Sequence, residues 1–253
     1  MTQTMETKPA PVAEVLNAGG QSGIVLVCEH ASHSIPEKFN GLGLAAEDRF
    51  SHAAWDPGAL AVAEHMAAVL AAPLVISRVS RLVYDCNRPP SAADAMPDRS
   101  EVIDVPGNAG LTPAERQARV DAYYTPFQAL LAQTIEARKP SGLVTIHSFT
   151  PIYKGRKRDV EIGLLHDADA RLADAMLSRA AEHVTGDVRH NAPYGPEDGV
   201  THTLKEHALK HGIPNVMIEV RNDLIRDEAQ QHAMAEALSR WVTASLASLT
   251  APS

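Results

Sequence analysis

Four scarcities narrow the possibilities before any motif is considered. Cysteine occurs only at Cys28 and Cys86. Two cysteines are too few for a disulfide-built domain, and with no export signal they are expected to be reduced thiols in a cytoplasmic protein. Aromatic residues make up 4% of the chain, so no stacking platform for single-stranded nucleic acid is expected. Lysine and arginine total 23 against 31 acidic residues, a formal net charge of −8. That balance argues against a nucleic-acid partner, which needs a basic surface. An anionic small substrate stays open, because one arginine can dominate inside a cleft. No apolar run reaches the roughly 18 residues of a membrane span, so no membrane partner is expected. Residues 1–21 lack the basic start and apolar block of a signal peptide. With Pro9, Pro11, Gly19 and Gly20 they are expected to form a flexible N-terminal arm.

What is present is an alternation of strand-length apolar runs and helical patterns. Ile24–Val27, Leu74–Ile76, Leu82–Tyr84, Leu143–His147, Val160–Leu165 and Val216–Val220 are predicted strands. Leu60, Ala63, Ala67 and Leu70 recur at helical spacing within 57–70. Thr112-Pro113-Ala114-Glu115 carries a capping residue, a proline at the first helical position and a glutamate three residues after the threonine. A helix is predicted from there to about Arg138. Further helices are predicted over 169–183, 200–211 and 227–248, with a long loop from Arg88 to Gly110. The expected fold is α/β: a single-domain, mixed and mostly parallel sheet with helices on both faces, of the phosphorylase- and hydrolase-like kind, over residues 22–253.

Polar residues stand where these apolar runs end. The first predicted strand leads into Cys28-Glu29-His30, another ends in His147-Ser148, and a third contains Glu219 followed by Val220 and Arg221. Two imidazoles and a carboxylate gathered at one sheet edge can bind a metal and activate water. A histidine at a strand end more often makes only local hydrogen bonds, but a second one at another strand end shifts the balance toward a ligand pair, His30 and His147. One zinc ion at a catalytic site takes three protein ligands. The candidates for the third are His33, in a His-x-x-His spacing, and Asp56, in His52-Ala53-Ala54-Trp55-Asp56-Pro57-Gly58. Asp56 is favoured, since two histidines and one carboxylate form a common catalytic shell, although it also suits a helix N-cap. His52 is a candidate supporting or lining residue.

Glu219 sits in an apolar strand, where a carboxylate is costly unless paired or functional. It is a candidate general base; the competing reading is a salt bridge to Arg221, two residues along the same strand face. Asn87 and Arg88 follow a predicted strand and suit the grip of a substrate carboxylate, since a guanidinium binds carboxylate through two parallel hydrogen bonds. Arg78 and Arg81 make the region locally basic. Lys154-Gly155-Arg156-Lys157-Arg158 is first a solvated hairpin or loop, and second a basic flap over the site. His190-Asn191-Ala192-Pro193-Tyr194-Gly195 is a candidate lid or pocket wall. Cys28 is expected to be a small core residue.

With these residues located, the chain resembles the N-formylglutamate amidohydrolase family. The resemblance rests on Val27-Cys28-Glu29-His30-Ala31-Ser32 with Ile35-Pro36, on 52–59, on 80–89, on Ile146-His147-Ser148-Phe149-Thr150-Pro151 and on 218–224, in family order. The Glu-His-Ala-Ser sequence around His30, in place of Pro-His-Ser-Gly, marks a sister branch. The resemblance implies kinship with zinc carboxypeptidase- and aspartoacylase-type hydrolases. It also implies zinc held by His30 and His147, with Asp56 as third ligand, Glu219 as base and Asn87-Arg88 on a carboxylate. The expected activity is hydrolysis of a small anionic N-acyl amino acid, foremost N-formyl-L-glutamate to formate and glutamate. Arg81 or Arg221 would help to stabilise the oxyanion. A carboxypeptidase-like enzyme, another N-deacylase and a non-catalytic acyl-amino-acid binder are the alternatives.

Overall fold

The protein is described here as a computed structural model covering residues 11–250. Seven strands form one sheet: β1 (Ala13–Leu16), β2 (Ile24–Cys28), β3 (Leu74–Ser77), β4 (Gly142–Phe149), β5 (Ile162–Leu165), β6 (Val188–His190) and β7 (Asn215–Arg221). Their order across the sheet is β1-β3-β2-β4-β7-β5-β6. The pairs β3–β2, β2–β4 and β4–β7 are parallel, so four strands point the same way through the middle. Strand β1 is antiparallel to β3, and β5 is antiparallel to β7, with β6 parallel to β5. The expected mixed, mostly parallel α/β sheet is therefore the observed one.

Central strands buried on both faces are mostly apolar, and the two-residue period of a strand sends alternate side chains to opposite faces. On one face Leu26, Val144, Ile146, Ile218 and Val220 meet Val62, Met66, Met176, Leu238 and Trp241. These come from α1 (Ala59–Leu70), α4 (Arg171–Ser178) and α7 (Glu228–Thr250). On the other face Val25, Val27, Val75 and Leu143 pack on Phe127, Leu131 and Ile135. Those belong to α3 (Thr125–Arg138). His147 and Glu219 fall in the second phase, odd-numbered on their strands, and so project from the same face.

Local chemistry explains where the elements depart from expectation. Thr112 caps α2 (Pro113–Arg119) with the reciprocal Glu115 bonds that its sequence implies. The helix widens into one π turn at Val120–Tyr124 before continuing as α3. Pro126 has no N–H to donate into the turn before it, which disfavours a regular α ladder there. Leu82–Tyr84 is not a strand: Val83 N donates to Ser80 O at 2.9 Å, so the chain coils and brings Arg81 and Asp85 to one side. The expected 169–183 helix is broken at Arg179 into α4 and α5 (Ala180–His183). The 200–211 prediction holds as α6 (His202–His207) and a 3-10 turn. The Lys154–Arg158 run lies on a small hairpin pairing Ile152–Tyr153 with Arg156–Lys157.

The expected N-terminal arm needs correction within its described part. Ala13–Leu16 adds an antiparallel edge strand to β3, with Glu14 paired to Arg78. Val15 has an apolar neighbourhood beneath it, which the prolines and glycines around it obscured. Residues 1–10 lie outside the described residues. Among those described, no helix is long and apolar enough to cross a membrane.

Candidate metal centre

Three ligand atoms converge at the ends of the central strands. His30 lies two residues beyond β2, His147 is in β4, and Asp56 precedes α1. His30 Nδ1 is 3.1 Å from His147 Nδ1, and Asp56 Oδ2 is 3.2 Å from the first and 2.9 Å from the second. All three residues are buried. Metal bonds of about 2.0–2.2 Å in a tetrahedral shell set donor separations near roughly 3.3 Å, so the triangle has the size such an ion requires. Asp56 is not the helix cap that its sequence position also allowed. Gly58 takes that place in a left-handed conformation, φ +82°, with no side-chain cap on the helix. A Cβ at Gly58 would stand 2.6 Å from Ile225 O, so glycine alone permits this turn.

The opposite ring nitrogens are held by carboxylates. His30 Nε2 is 2.7 Å from Asp85 Oδ1, and His147 Nε2 is 3.0 Å from Glu29 Oε2. With a cation between the donor atoms, this network assigns the remaining proton of each ring to Nε2 and would turn the Nδ1 lone pair inward. Two lone pairs and a carboxylate oxygen then face one point within about hydrogen-bond distance of each other, an arrangement that a cation stabilises. The donor set fits zinc, with two imidazoles and one carboxylate leaving a coordination position open. Arg81 braces the assembly from outside, with Nη2 2.9 Å from Asp85 Oδ2 and Nη1 3.3 Å from Asp56 Oδ1. Ser148 N donates to Asp56 Oδ2 at 3.2 Å.

The electrostatics follow this geometry. Burial opposes charge on His147, but Glu29 and Asp56 outweigh it and raise the pKa well above the ordinary histidine value. His30 is raised too, because Asp85 and Asp56 overcome burial and the repulsion of Arg81. Burial likewise opposes ionisation of Asp56, yet the histidines pull its pKa down. In Asp85, burial is outweighed by His30 and Arg81, and the pKa falls well below the carboxylate range. For Glu29, burial is outweighed by the charge and hydrogen bond of His147, and the pKa falls below the ordinary carboxylate value.

Glu219 behaves in the opposite way. Burial pushes its pKa up to about 7, with His147 pulling down and Asp56 pushing up. It is the in-register neighbour of His147 on one side and of Gly163 on the other. Among the described residues its Oε2 has no hydrogen-bond partner. The alternative salt bridge to Arg221 does not form. Arg221 lies at the end of β7 and turns to Asp223 at 2.7 Å, Glu161 at 3.2 Å and the carbonyls of 158–160. It is not brought to the cavity.

That cavity, of about 340 Å³, opens over His30, Asp56, His147 and Glu219 and is walled by Arg81, Arg88, Arg99, Tyr153 and Tyr194 among others. Arg88 reaches it with Nε on Asp94 at 2.8 Å and Nη1 on Gly199 O at 2.7 Å. Asn87 also borders it, but its amide is engaged with Val200 O at 2.5 Å and with Thr203 N at 2.9 Å. His33 packs against Phe50 and Trp55, with ring centroids 4.8 and 5.2 Å away, and takes no part. His52 lines the outer wall, paired with Glu101 at 2.7 Å. Cys28 is buried in β2, as expected of a core residue.

Sequence reasoning missed Glu29, Asp85 and Tyr194. Glu29 and Asp85 were visible as carboxylates beside motif residues, but each serves the histidine of a different strand or loop, which no spacing rule reveals. Tyr194 lies in a segment considered as a pocket wall. It is carried there because the backbone of Ala192 crosses directly over Gly163, where any side chain would collide.

A mixed α/β sheet with a buried two-histidine, one-aspartate cluster and a carboxylate facing it defines a hydrolase-type centre. The sequence profile described as N-formylglutamate amidohydrolase matches residues 22–226, and the chain belongs to that family of amide hydrolases. It is similar to the crystal structure of an Agrobacterium tumefaciens gene product, with 53% identity, a TM-score of 0.92 and coverage of 96% of this chain and 97% of that one. The fold is also similar to that of an N-formylglutamate amidohydrolase from Ralstonia eutropha, at 19% identity and a TM-score of 0.61, covering 92% and 97% of the two chains. No curated protein matched this sequence.

Proposed function

We propose that this chain is a zinc-dependent hydrolase of N-acyl amino acids, with N-formyl-L-glutamate the leading substrate, and that it works as a cytoplasmic metabolic enzyme. The observation that carries the reading is the convergence of His30, His147 and Asp56 on one point, with the unpartnered Glu219 carboxylate on the neighbouring strand. His30, His147 and Asp56 would hold a single ion. A divalent cation there lowers the pKa of a water and draws charge from a carbonyl oxygen.

The chain's own residues then have defined tasks. Glu219 accepts the proton of the attacking water as the new C–O bond forms at the formyl carbon. It returns that proton to the nitrogen as the C–N bond breaks, leaving formate and the free amino acid. Its raised pKa suits a group that must both take and give a proton near neutrality. Arg81, held by Asp85 and Asp56, is placed to favour the negative charge that develops on the carbonyl oxygen. Arg88, with Nη2 not engaged among the described residues, orients a substrate carboxylate.

The test is a panel of N-formyl and N-acetyl amino acids, with a blocked dipeptide, against zinc-loaded protein with and without chelator. Zinc-dependent release of formate supports the proposal. Cleavage of the dipeptide alone would favour a carboxypeptidase, and zinc-independent binding without turnover would favour a binding protein.

A further inference from the structure

Glu219 has His147 on one side in the sheet and Gly163 of β5, its in-register partner, on the other. In-register residues project from the same face, so the missing side chain of Gly163 leaves a space beside Glu219. The carbonyl of Ala192 fills that space, so closely that a Cβ on Gly163 would collide with it. The backbone there is fixed on both sides of the strand end. Asn191 N donates to Leu164 O at 3.1 Å, and Asn191 Oδ1 accepts from His166 N at 3.0 Å.

Tyr194 follows two residues later and lines the cavity together with Glu219 and Met217. It packs on the buried cluster of Leu165, Leu204 and Met217. Leu165 and Met217 are in register with each other, one rung along from Gly163 and Glu219 and on the same face. Two residues of strand cover roughly 6.6 Å, so the cluster that carries Tyr194 begins one rung from the carboxylate. The Arg158 guanidinium lies 4.7 Å from the centroid of the Tyr194 ring and 4.5 Å from that of Tyr153, another residue of the cavity wall. A cation shared by two aromatic rings holds both in place. That gives the last residue of the basic 154–158 run a task at the cavity.

The strand order β2-β4-β7-β5 sets His30, His147, Glu219 and Gly163 across the sheet in that sequence. Arg81 braces the His30 end through Asp85 and Asp56. Ala192 and Tyr194 close the Gly163 end. A carbonyl carbon within reach of Glu219 has three substituents to place between these walls. With its oxygen toward Arg81 and its nitrogen leading the amino acid toward Arg88, the remaining substituent of the acyl group is left facing Tyr194.

We propose that Tyr194 is the specificity-determining wall for that substituent. Backed by the Met217 cluster and pinned by Arg158, its ring admits the hydrogen of a formyl group and clashes with the methyl or longer chain of other acyl groups. The proposal rests on the reading of this chain as a hydrolase of N-acyl amino acids with Glu219 as proton carrier.

The test compares kcat/KM of the zinc-loaded wild type, Tyr194→Phe, Tyr194→Ala and Met217→Ala on N-formyl-, N-acetyl- and N-propionyl-L-glutamate. Calorimetric titration with N-acetyl-L-glutamate gives a readout apart from turnover. The wild type is expected to prefer the formyl substrate. Tyr194→Ala should lower the formyl-to-acetyl ratio about 10-fold or more, the weight of one carbon in a fitted pocket, and should bind N-acetyl-L-glutamate more tightly. Tyr194→Phe keeps the ring and should retain the wild-type ratio. Thermal denaturation identifies a variant that fails to fold. Met217→Ala loosens the support of the ring, should shift the ratio in the same direction, and carries the test if Tyr194→Ala does not fold. An unchanged ratio in the alanine variants, or a wild type that takes formyl and acetyl substrates equally, would overturn the proposal. So would a loss of turnover on all three substrates in Tyr194→Phe, which would make the hydroxyl, and not the ring, the working part. A wild type that hydrolyses none of the three would instead remove the hydrolase reading on which the proposal stands.

Discussion

His147 and Glu219 are in-register neighbours on parallel strands, and both project from the same face of the sheet. An imidazole whose inner nitrogen meets His30 and Asp56 thus stands beside a buried carboxylate that has no partner on Oε2 among the described residues. Buried carboxylates are normally paired, and the proposed role as proton carrier accounts for this exception. Glu219→Gln preserves shape and removes the base. The expected result is a fall in kcat of about 10²–10⁴-fold with zinc content unchanged. Turnover within a factor of a few of wild type would exclude Glu219 as the proton carrier.

The carboxylates behind the histidines should matter for the metal and not for the chemistry. Glu29→Gln and Asp85→Asn retain size but weaken the hold on the Nε2 protons. Each is expected to weaken zinc binding by about 10–100-fold, measured by competition with a coloured chelator. Activity at saturating zinc should recover most of its wild-type value.

Raising the pH should destabilise the metal-free protein and enlarge the stabilisation that zinc confers. In the metal-free protein His30, His147 and Glu219 all have folded pKa values raised above their unfolded ones. Such groups contribute stability that is fully present below the unfolded pKa and is lost as pH rises through the folded pKa. For Glu219 the loss falls between its ordinary value of 4.5 and about 7; for the histidines it begins above 6.5. Asp56, Asp85 and Glu29 have depressed values, so their contribution is retained across this range and is lost only in acid. The Tm of metal-free protein is therefore expected to fall as pH rises from about 6 to 8. Zinc displaces protons from the same histidines, so the zinc-induced rise in Tm should grow over that interval. Differential scanning fluorimetry at several pH values measures both trends, and a zinc effect that shrinks with pH would contradict the assignment.

Arg221 offers a control. Its guanidinium is occupied by Asp223, Glu161 and backbone carbonyls and lies off the cavity. Arg221→Lys should lower Tm, since lysine cannot reproduce the forked contacts. KM for N-formyl-L-glutamate should stay within about twofold of wild type, as expected of a stability change away from the cavity. A large rise in KM would return Arg221 to the substrate.

Much of this was legible in the sequence, for identifiable reasons. The strands carrying Val25, Val144 and Val216 are buried on both faces, so they appear as largely apolar runs, and the polar residues at or near their ends stand out. Asp56 was harder, because the same position also suits a helix cap, and only the left-handed Gly58 shows that it is released for another use. The supporting layer was not legible. Glu29 precedes His30 yet serves His147, and Asp85 serves His30 from 55 positions away. Leu82–Tyr84 misled because an apolar trio is compatible with a strand, whereas its backbone coils onto Ser80, with Leu82 N on Ser80 Oγ and Val83 N on Ser80 O. Strand β1 was hidden by its shortness and by the prolines and glycines around it.

The most direct measurement is a crystal structure of the zinc-loaded protein with anomalous data at the zinc edge. The expected result is one strong peak within about 2.2 Å of His30 Nδ1, His147 Nδ1 and Asp56 Oδ2, facing the Glu219 carboxylate. A peak elsewhere, or ordered histidines holding no zinc at saturating concentration, would contradict the account.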